Sequence, residues 1–319
     1  MIIKNISTEI IKIPLKTPFI TALRKVTNVE FVRVKIACKN NILSYGEAPA
    51  TKAITGEDLE SIIKTIEESK KLFFEKSPQI CLEILDKLKI GSSAKAALNM
   101  AFYNLVIPMN YEKNSKIKTA ITISLNEKQK MCDDAILAKR DGLNILKLKF
   151  GDDILHAIDL TKTIKKLNPN AKILIDANQA WDVQKSKKFL DAIKDVDVEL
   201  LEQPVVAHDI LGLKEITQYS HIPIVADEAC FTLEDIKKVI KSKSADIINI
   251  KLMKCGGITY AIEILDYCRK KNVPVMFGSM LEGPISINYA CWLVSKYVDI
   301  VKYIDLDSPL LYKNYSKTI

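Results

Sequence analysis

From Thr119 onward, short and nearly continuous apolar runs alternate with stretches of helical period. The runs TAITISL, NILKLKF, KILIDA, VELLEQ, PIVADE, DIINIKL, VPVMFG and VKYIDL read as eight strands. Strands buried on both faces of a parallel sheet lose the alternation of apolar and polar positions, and these runs show little of it. Amphipathic stretches such as EKQKMCDDAILAKRDG and TLEDIKKVIKSKS fill the gaps. Eight β–α repeats in about 190 residues predict a closed (β/α)8 barrel, short beside the roughly 250 residues usual for that architecture. The last intervals are compressed, so the final unit is expected to be irregular. An open doubly wound sheet is the alternative, but no GxGxxG or P-loop sequence supports it.

The chain ahead of the barrel has two other regimes. Up to about residue 50 it is strand-like, ending in VEFVRVKIAC and NILSYGEA with Asn40-Asn41 as a hairpin turn. From Gly56 to about Val106 the period turns helical, through EDLESIIKTIEESKKLFF, PQICLEILDKL and SSAKAALNMAFYNLV, the last expected to be capped by Ser92 or Ser93. The expected organisation is an α+β module over residues 1–115 and a barrel over 116–307, joined by the short link IPMNYEKNSK at 107–116. Only 12 residues follow Asp307, and residues 308–319 are the segment that would complete the first module.

With 319 residues, 48% of them hydrophobic, the chain can bury a large core. Seven cysteines stand singly with no CxxC pair, which argues for reduced thiols in a cytosolic protein rather than disulfides or a zinc site. The opening MIIKNISTEIIKIPLK lacks the apolar core of a signal peptide, and no run is long enough to span a membrane. The net charge of +8 is spread over lysines interspersed with acids, so nucleic acid and membrane are not expected partners. Attraction of small anionic substrates is.

Three of the strand-like runs end in an acid: Asp176, Glu202 and Asp227, spaced 26 and 25 residues apart. One such acid often caps the following helix. Three from consecutive units can instead converge on one hard divalent cation, and Mg2+ takes oxygen ligands of this kind. Glu228 follows Asp227 directly, and only one of the two is needed. Lys147 and Lys149 share one face of their strand because side chains alternate with period two. In a barrel interior, mutual repulsion and a nearby cation should lower their pKa towards that of a usable base. Lys251 lies about half a barrel away. Two bases flanking one Cα–H, with a metal to hold the developing charge, suit racemisation or epimerisation.

Taken together, LKLKF, LIDANQAW, LLEQP, ADE and NIKLMKCGG resemble the enolase superfamily, in its muconate-lactonising-enzyme-like subgroup. The resemblance covers nearly the whole chain and makes the first module a capping domain. It implies one Mg2+ on Asp176, Glu202 and Asp227, with Lys149 and Lys251 as the acid/base pair. Lys147 would tune Lys149, and Asn178 would support the metal site. Asp305-x-Asp307 looks like the signature with which dipeptide epimerases pair the substrate ammonium group. Arg24, in TPFITALRKVT, lies where L-Ala-D/L-Glu epimerases hold an arginine against the glutamate side chain. GSMLEGP would line the mouth with Ser279 and Met280, and Glu282 would be a lysine or ammonium partner. The implied activity is epimerisation of L-Ala-D/L-Glu by 1,1-proton transfer, as in murein peptide recycling, with the oligomeric state left open. N-acylamino-acid racemase and o-succinylbenzoate synthase are the alternatives in the subgroup. A barrel that binds acidic peptides without turnover is the non-catalytic reading. His156, His208 and His221 fall in helix- or loop-like segments, which disfavours the branches that use a histidine base.

Overall fold

The computed structural model describes residues 1–109 and 117–314. Most of the 107–116 link, with the expected boundary at 115/116, lies outside the described residues, as does the end of the 308–319 segment. Strands β1 (Ile3–Ile20), β2 (Lys25–Cys38) and β3 (Leu43–Pro49) form an antiparallel sheet in that order. The β2–β3 turn falls where the two asparagines predict it. Asn41 takes φ 63°, a left-handed conformation asparagine tolerates, and donates its N–H to the Cys38 carbonyl at 3.0 Å.

Helices α1 (Lys52–Thr55), α2 (Leu59–Ser69), α3 (Pro78–Lys87) and α4 (Ser92–Val106) follow. Ile62, Ile66, Leu85, Leu98 and Phe102 on these helices pack against Val32, Val34 and Ile36 of the sheet, giving this module its own core. Neither serine caps α4. Its first free N–H groups, those of Ser93 and Ala94, donate instead to the Glu57 carboxylate at 2.7 and 3.0 Å, while the Ser93 hydroxyl bonds Thr55.

All eight apolar runs are parallel strands. They are β4 (Ile121–Ile123), β5 (Ile145–Lys149), β6 (Lys172–Asp176), β7 (Leu200–Glu202), β8 (Ile224–Ala226), β9 (Ile247–Ile250), β10 (Val275–Gly278) and β11 (Val301–Asp305), each beside its sequence neighbour. Helices α5 (Lys128–Arg140), α6 (Ile154–Leu167), α7 (Val183–Ala192), α8 (Ile210–Tyr219) and α9 (Leu233–Ser242) connect the first six. The one-turn α10 (Leu252–Cys255) and α11 (Ile258–Lys271) lead to β10, and α12 (Pro284–Lys296) leads to β11. The seam between β4 and β11 is nearly closed. Ala120 donates its N–H to the Ile304 carbonyl at 2.8 Å, and Thr122 donates to Asp307 Oδ2 at 2.7 Å.

The last unit is irregular, as its compressed spacing predicts. After β11 comes only the single turn α13 (Ser308–Leu311), and then the chain returns to β1, where Lys313 donates to the Pro14 carbonyl at 2.8 Å. Inside the barrel, Ala120, Leu174, Leu200, Val225, Ile247 and Met276 form a buried apolar layer. With a period of two, the next inward residues along these strands are Thr122, Asp176, Glu202, Asp227, Asn249 and Gly278. The apolar layer therefore sets the floor on which the polar groups stand. The first module covers the open end: Glu47 on β3 accepts N–H groups of Ile285 and Ser286 at the start of α12, at 2.9 and 3.1 Å.

Candidate active site

Period two also divides β5. Lys147 and Lys149 point inward and are buried, while Leu146, Leu148 and Phe150 pack outward with the helices. In the sheet register Lys149 lies opposite Asp176, and Asp176 opposite Glu202. Lys147 Nζ lies 2.7 Å from Glu202 Oε2, 2.7 Å from Asp305 Oδ2 and 3.1 Å from Asp176 Oδ2. Lys149 donates to Asp176 Oδ2 at 2.5 Å. On the far side, just beyond β9, Lys251 donates to Asp227 Oδ2 at 2.6 Å. Lysines on the second and sixth strands of an eight-stranded barrel face each other across its axis.

Among the described residues no three His, Cys, Asp or Glu side chains are gathered tightly enough to hold a metal as they stand, because ammonium groups lie between the acids. The donor chemistry nonetheless fits a hard divalent cation. Among the described residues seven buried side-chain polar atoms lack a directed hydrogen bond, and five of them are oxygens at this end of the barrel: Asn178 Oδ1, Glu202 Oε2, Glu228 Oε2, Asn249 Oδ1 and Asp305 Oδ1. Buried oxygens left short of hydrogen bonds are stabilised by a cation that accepts oxygen ligands. Asp176, Glu202 and Asp227 present carboxylate oxygens to this group from three adjacent strand ends.

The charges are strongly interdependent. Burial, with the Asp176 charge adding to it, pushes the Glu202 carboxyl up to about 8. Burial together with Asp227 and Asp176 lifts Glu228 to about 7. Burial also opposes ionisation of Asp176, but Lys149 and Lys147 outweigh it and hold this group down to about 2. Asp227 is held well below the usual range, Lys251 and Lys254 overcoming its burial. The lowered lysine pKa expected from the Lys-x-Lys pair is not found at Lys147, and Lys251 across the barrel behaves in the same way. Burial disfavours both ammonium groups, yet the surrounding acids prevail and both are raised. The repulsion between lysines is real but outnumbered.

Lys149, Lys251, Asn178, Asp305 and Asp307 open onto one cleft of about 560 Å³, its open mouth included. Ser279 and Met280 line it too, and the first module contributes Phe19, Leu23 and Arg24. Arg24 Nη1 reaches only the Ala50 carbonyl at 3.4 Å and the Thr51 hydroxyl at 3.5 Å. With no carboxylate to offset its burial, the guanidinium is lowered to about 10. Asp305 Oδ2 is taken by Lys147 and Asp307 Oδ2 by the Thr122 N–H, which leaves each acid its other oxygen; burial beside Asp305 raises Asp307 to about 6.

Glu282 does not lie in the cleft, contrary to its expected role. Its carboxylate folds back on its own loop, accepting from the Met280 N–H at 2.8 Å and from the Ser286 hydroxyl, and burial raises it to about 7. The three histidines all lie away from the cleft lining. Three supporting residues escaped the sequence reading. Gln203, at φ 34°, accepts the N–H groups of Asp227 and Ala229 on one oxygen. Asn249 donates to Glu202 at 2.8 Å, and Lys254 donates to Asp227. All three sit within the strand-end motifs, but they act on neighbouring strands, and a single sequence does not carry that pairing.

A barrel whose C-terminal end carries clustered acids and opposed lysines, under an α+β cover, is an arrangement chemically suited to metal-assisted proton transfer. The chain belongs to the enolase superfamily, in its muconate-lactonising-enzyme-like subgroup: the Enolase C-terminal domain-like family model matches residues 130–311. It is 50% identical to an L-amino acid-D/L-Glu epimerase of Sulfurimonas denitrificans, across 100% of this chain and 96% of that protein. Its fold superposes on a substrate-liganded L-Ala-D/L-Glu epimerase of Bacillus subtilis with a TM-score of 0.92, at 36% identity, covering 99% of this chain and 92% of that one. A dipeptide epimerase of Enterococcus faecalis, complexed with Mg and L-Leu-L-Tyr, gives 0.93 at 31% identity, covering 100% and 94%.

Proposed function

We propose that the chain is a Mg2+-dependent dipeptide epimerase that interconverts L-Ala-L-Glu and L-Ala-D-Glu by 1,1-proton transfer. One observation carries the reading: Lys149 and Lys251 face each other across a cleft that also contains an unpaired guanidinium and a pair of aspartates. A dipeptide ending in glutamate has a matching group for each. Asp305 and Asp307 would pair with its ammonium group, and Arg24 with its side-chain carboxylate. Mg2+ held by Asp176, Glu202 and Asp227 would supply positive charge against the negative charge that develops as the α-proton leaves. One lysine, as the neutral amine, takes the α-proton from one face, and the other, as ammonium, returns a proton from the opposite face. Lys147, touching Asp176, Glu202 and Asp305, holds the acid cluster together from below.

The relatives support this substrate class. The Sulfurimonas denitrificans protein is named for glutamate at the epimerised position and leaves the first residue broad, and the Enterococcus faecalis structure contains Mg. The same reading takes residues 1–115 as the capping domain, completed by 308–319, and assigns the enzyme to cytoplasmic recycling of murein peptides.

The test is 1H NMR of the protein with L-Ala-L-Glu and Mg2+ in D2O. Deuterium should enter the glutamate α-position as the second epimer appears. Folded, metal-loaded protein that exchanges nothing would end the Ala-Glu assignment, and exchange without the second epimer would mean that only one lysine is in place.

A further inference from the structure

The site contains a fourth buried lysine. Lys149 and Lys251 open onto the cleft and Lys147 lies among the acids, whereas Lys254 sits behind Asp227 and away from the cleft lining. Its position follows from the local chain. The one-turn helix α10 begins directly after Lys251, and Gly256 and Gly257, at φ 94° and 118°, end it at once. One helical turn separates Lys251 from Lys254, so both side chains come off the same face of the turn. They straddle Asp227, with Lys251 Nζ 2.6 Å from Oδ2 and Lys254 Nζ 2.6 Å from Oδ1.

Lys254 does more than pair with a charge. Its three N–H bonds go to Asp227 Oδ1, to the Asp227 backbone carbonyl at 2.5 Å and to the Asn249 carbonyl at 2.9 Å. An ammonium group has three donors, so Lys254 is saturated, and it ties the end of β8 to the end of β9. The Asp227 carboxylate cannot rotate without breaking one of these bonds. Oδ2 is left on the side of Lys251, the lysine that opens onto the cleft.

We propose that Lys254 is a positioning residue for the divalent-cation site. It fixes Asp227 as a one-oxygen ligand and takes no part in proton transfer. The inference rests on the metal reading of Asp176, Glu202 and Asp227. Groups that orient a metal ligand are typically worth about ten- to a hundredfold in metal affinity.

The test is calorimetric titration of Mg2+ into metal-free wild type and K254M, with melting curves of both metal-free proteins. The expected result is a Mg2+ dissociation constant at least tenfold higher in K254M, from a carboxylate no longer held. An unchanged constant, with only a lower melting temperature, overturns the proposal in favour of a tie between strands. A lower constant also overturns it, because Lys254 would then act only by its repulsive charge. If K254M does not fold, K254Q, which keeps one donor pair on a shorter stem, is read by the same titration with the same outcomes. Wild-type protein that binds no Mg2+ would remove the proposed function and this role together; wild-type binding with unaltered K254M affinity removes this role alone.

Discussion

At the scale of single residues, the informative observation is Arg24. A half-buried guanidinium usually has a carboxylate beside it, and among the described residues this one has only a carbonyl and a hydroxyl at the limit of hydrogen-bonding distance. An anion arriving from the cleft would make a charge-assisted pair worth about 1.5–3 kcal/mol. Arg24→Met should therefore lower kcat/KM for L-Ala-L-Glu about ten- to a hundredfold, mostly through KM, at tenfold per about 1.4 kcal/mol. L-Ala-L-Leu, which has no side-chain carboxylate, should lose far less. Equal losses for both substrates, by steady-state kinetics, would take Arg24 out of side-chain recognition. Residues with this directness were legible in the sequence. Asp176, Glu202 and Asp227 end apolar runs, and Lys147 and Lys149 share strand parity. Glu282 was misread because its charge and motif carry no information on direction, and its loop turns the carboxylate back to Met280 and Ser286.

At the scale of elements, the strands were legible almost to their ends, because buried parallel strands write their position as continuous Ile, Leu and Val. Helix starts were legible only where the cap is local. Thr232 and Asp235 form a reciprocal capping box at α9, three residues apart. At α4 two serines stand where a cap belongs, yet Glu57 does the work from 36 residues upstream. The serine signal loses because one buried carboxylate satisfies two N–H groups at once and also meets the positive end of the helix dipole. Glu57→Gln, which leaves one acceptor oxygen for those two donors, should destabilise the protein by about 1–2 kcal/mol. The denaturant midpoint should fall at constant slope, with kcat unchanged because Glu57 lies outside the cleft lining. A midpoint equal to wild type would mean that the serines can take over the cap.

At the scale of the whole molecule, two opposite electrostatic features coexist. The chain carries a net charge of +8, but the barrel mouth is acidic. Six buried or nearly buried acids meet there, Asp176, Glu202, Asp227, Glu228, Asp305 and Asp307, against the four lysines 147, 149, 251 and 254. With all ten ionised, 4 − 6 leaves −2, the charge that one divalent cation balances. Burial, with the neighbouring acids adding to it, raises Glu202, Glu228 and Asp307, so protons compete with a cation for the same cluster. Folding this cluster thus stores an unmet demand for positive charge at one place in the molecule, and the unfolded chain has no such place. A ligand that binds only the folded state stabilises it by RT ln(1 + [L]/Kd), about 2.7 kcal/mol at a hundredfold excess over Kd. Mg2+ should accordingly raise the melting temperature in a saturable, concentration-dependent way, EDTA should reverse the rise, and Na+ at equal ionic strength should not reproduce it. If D176N/D227N, which removes two of the six negative charges, kept the full Mg2+-dependent shift, the cation would be binding elsewhere and the charge balance at the mouth would have to be met by protons alone.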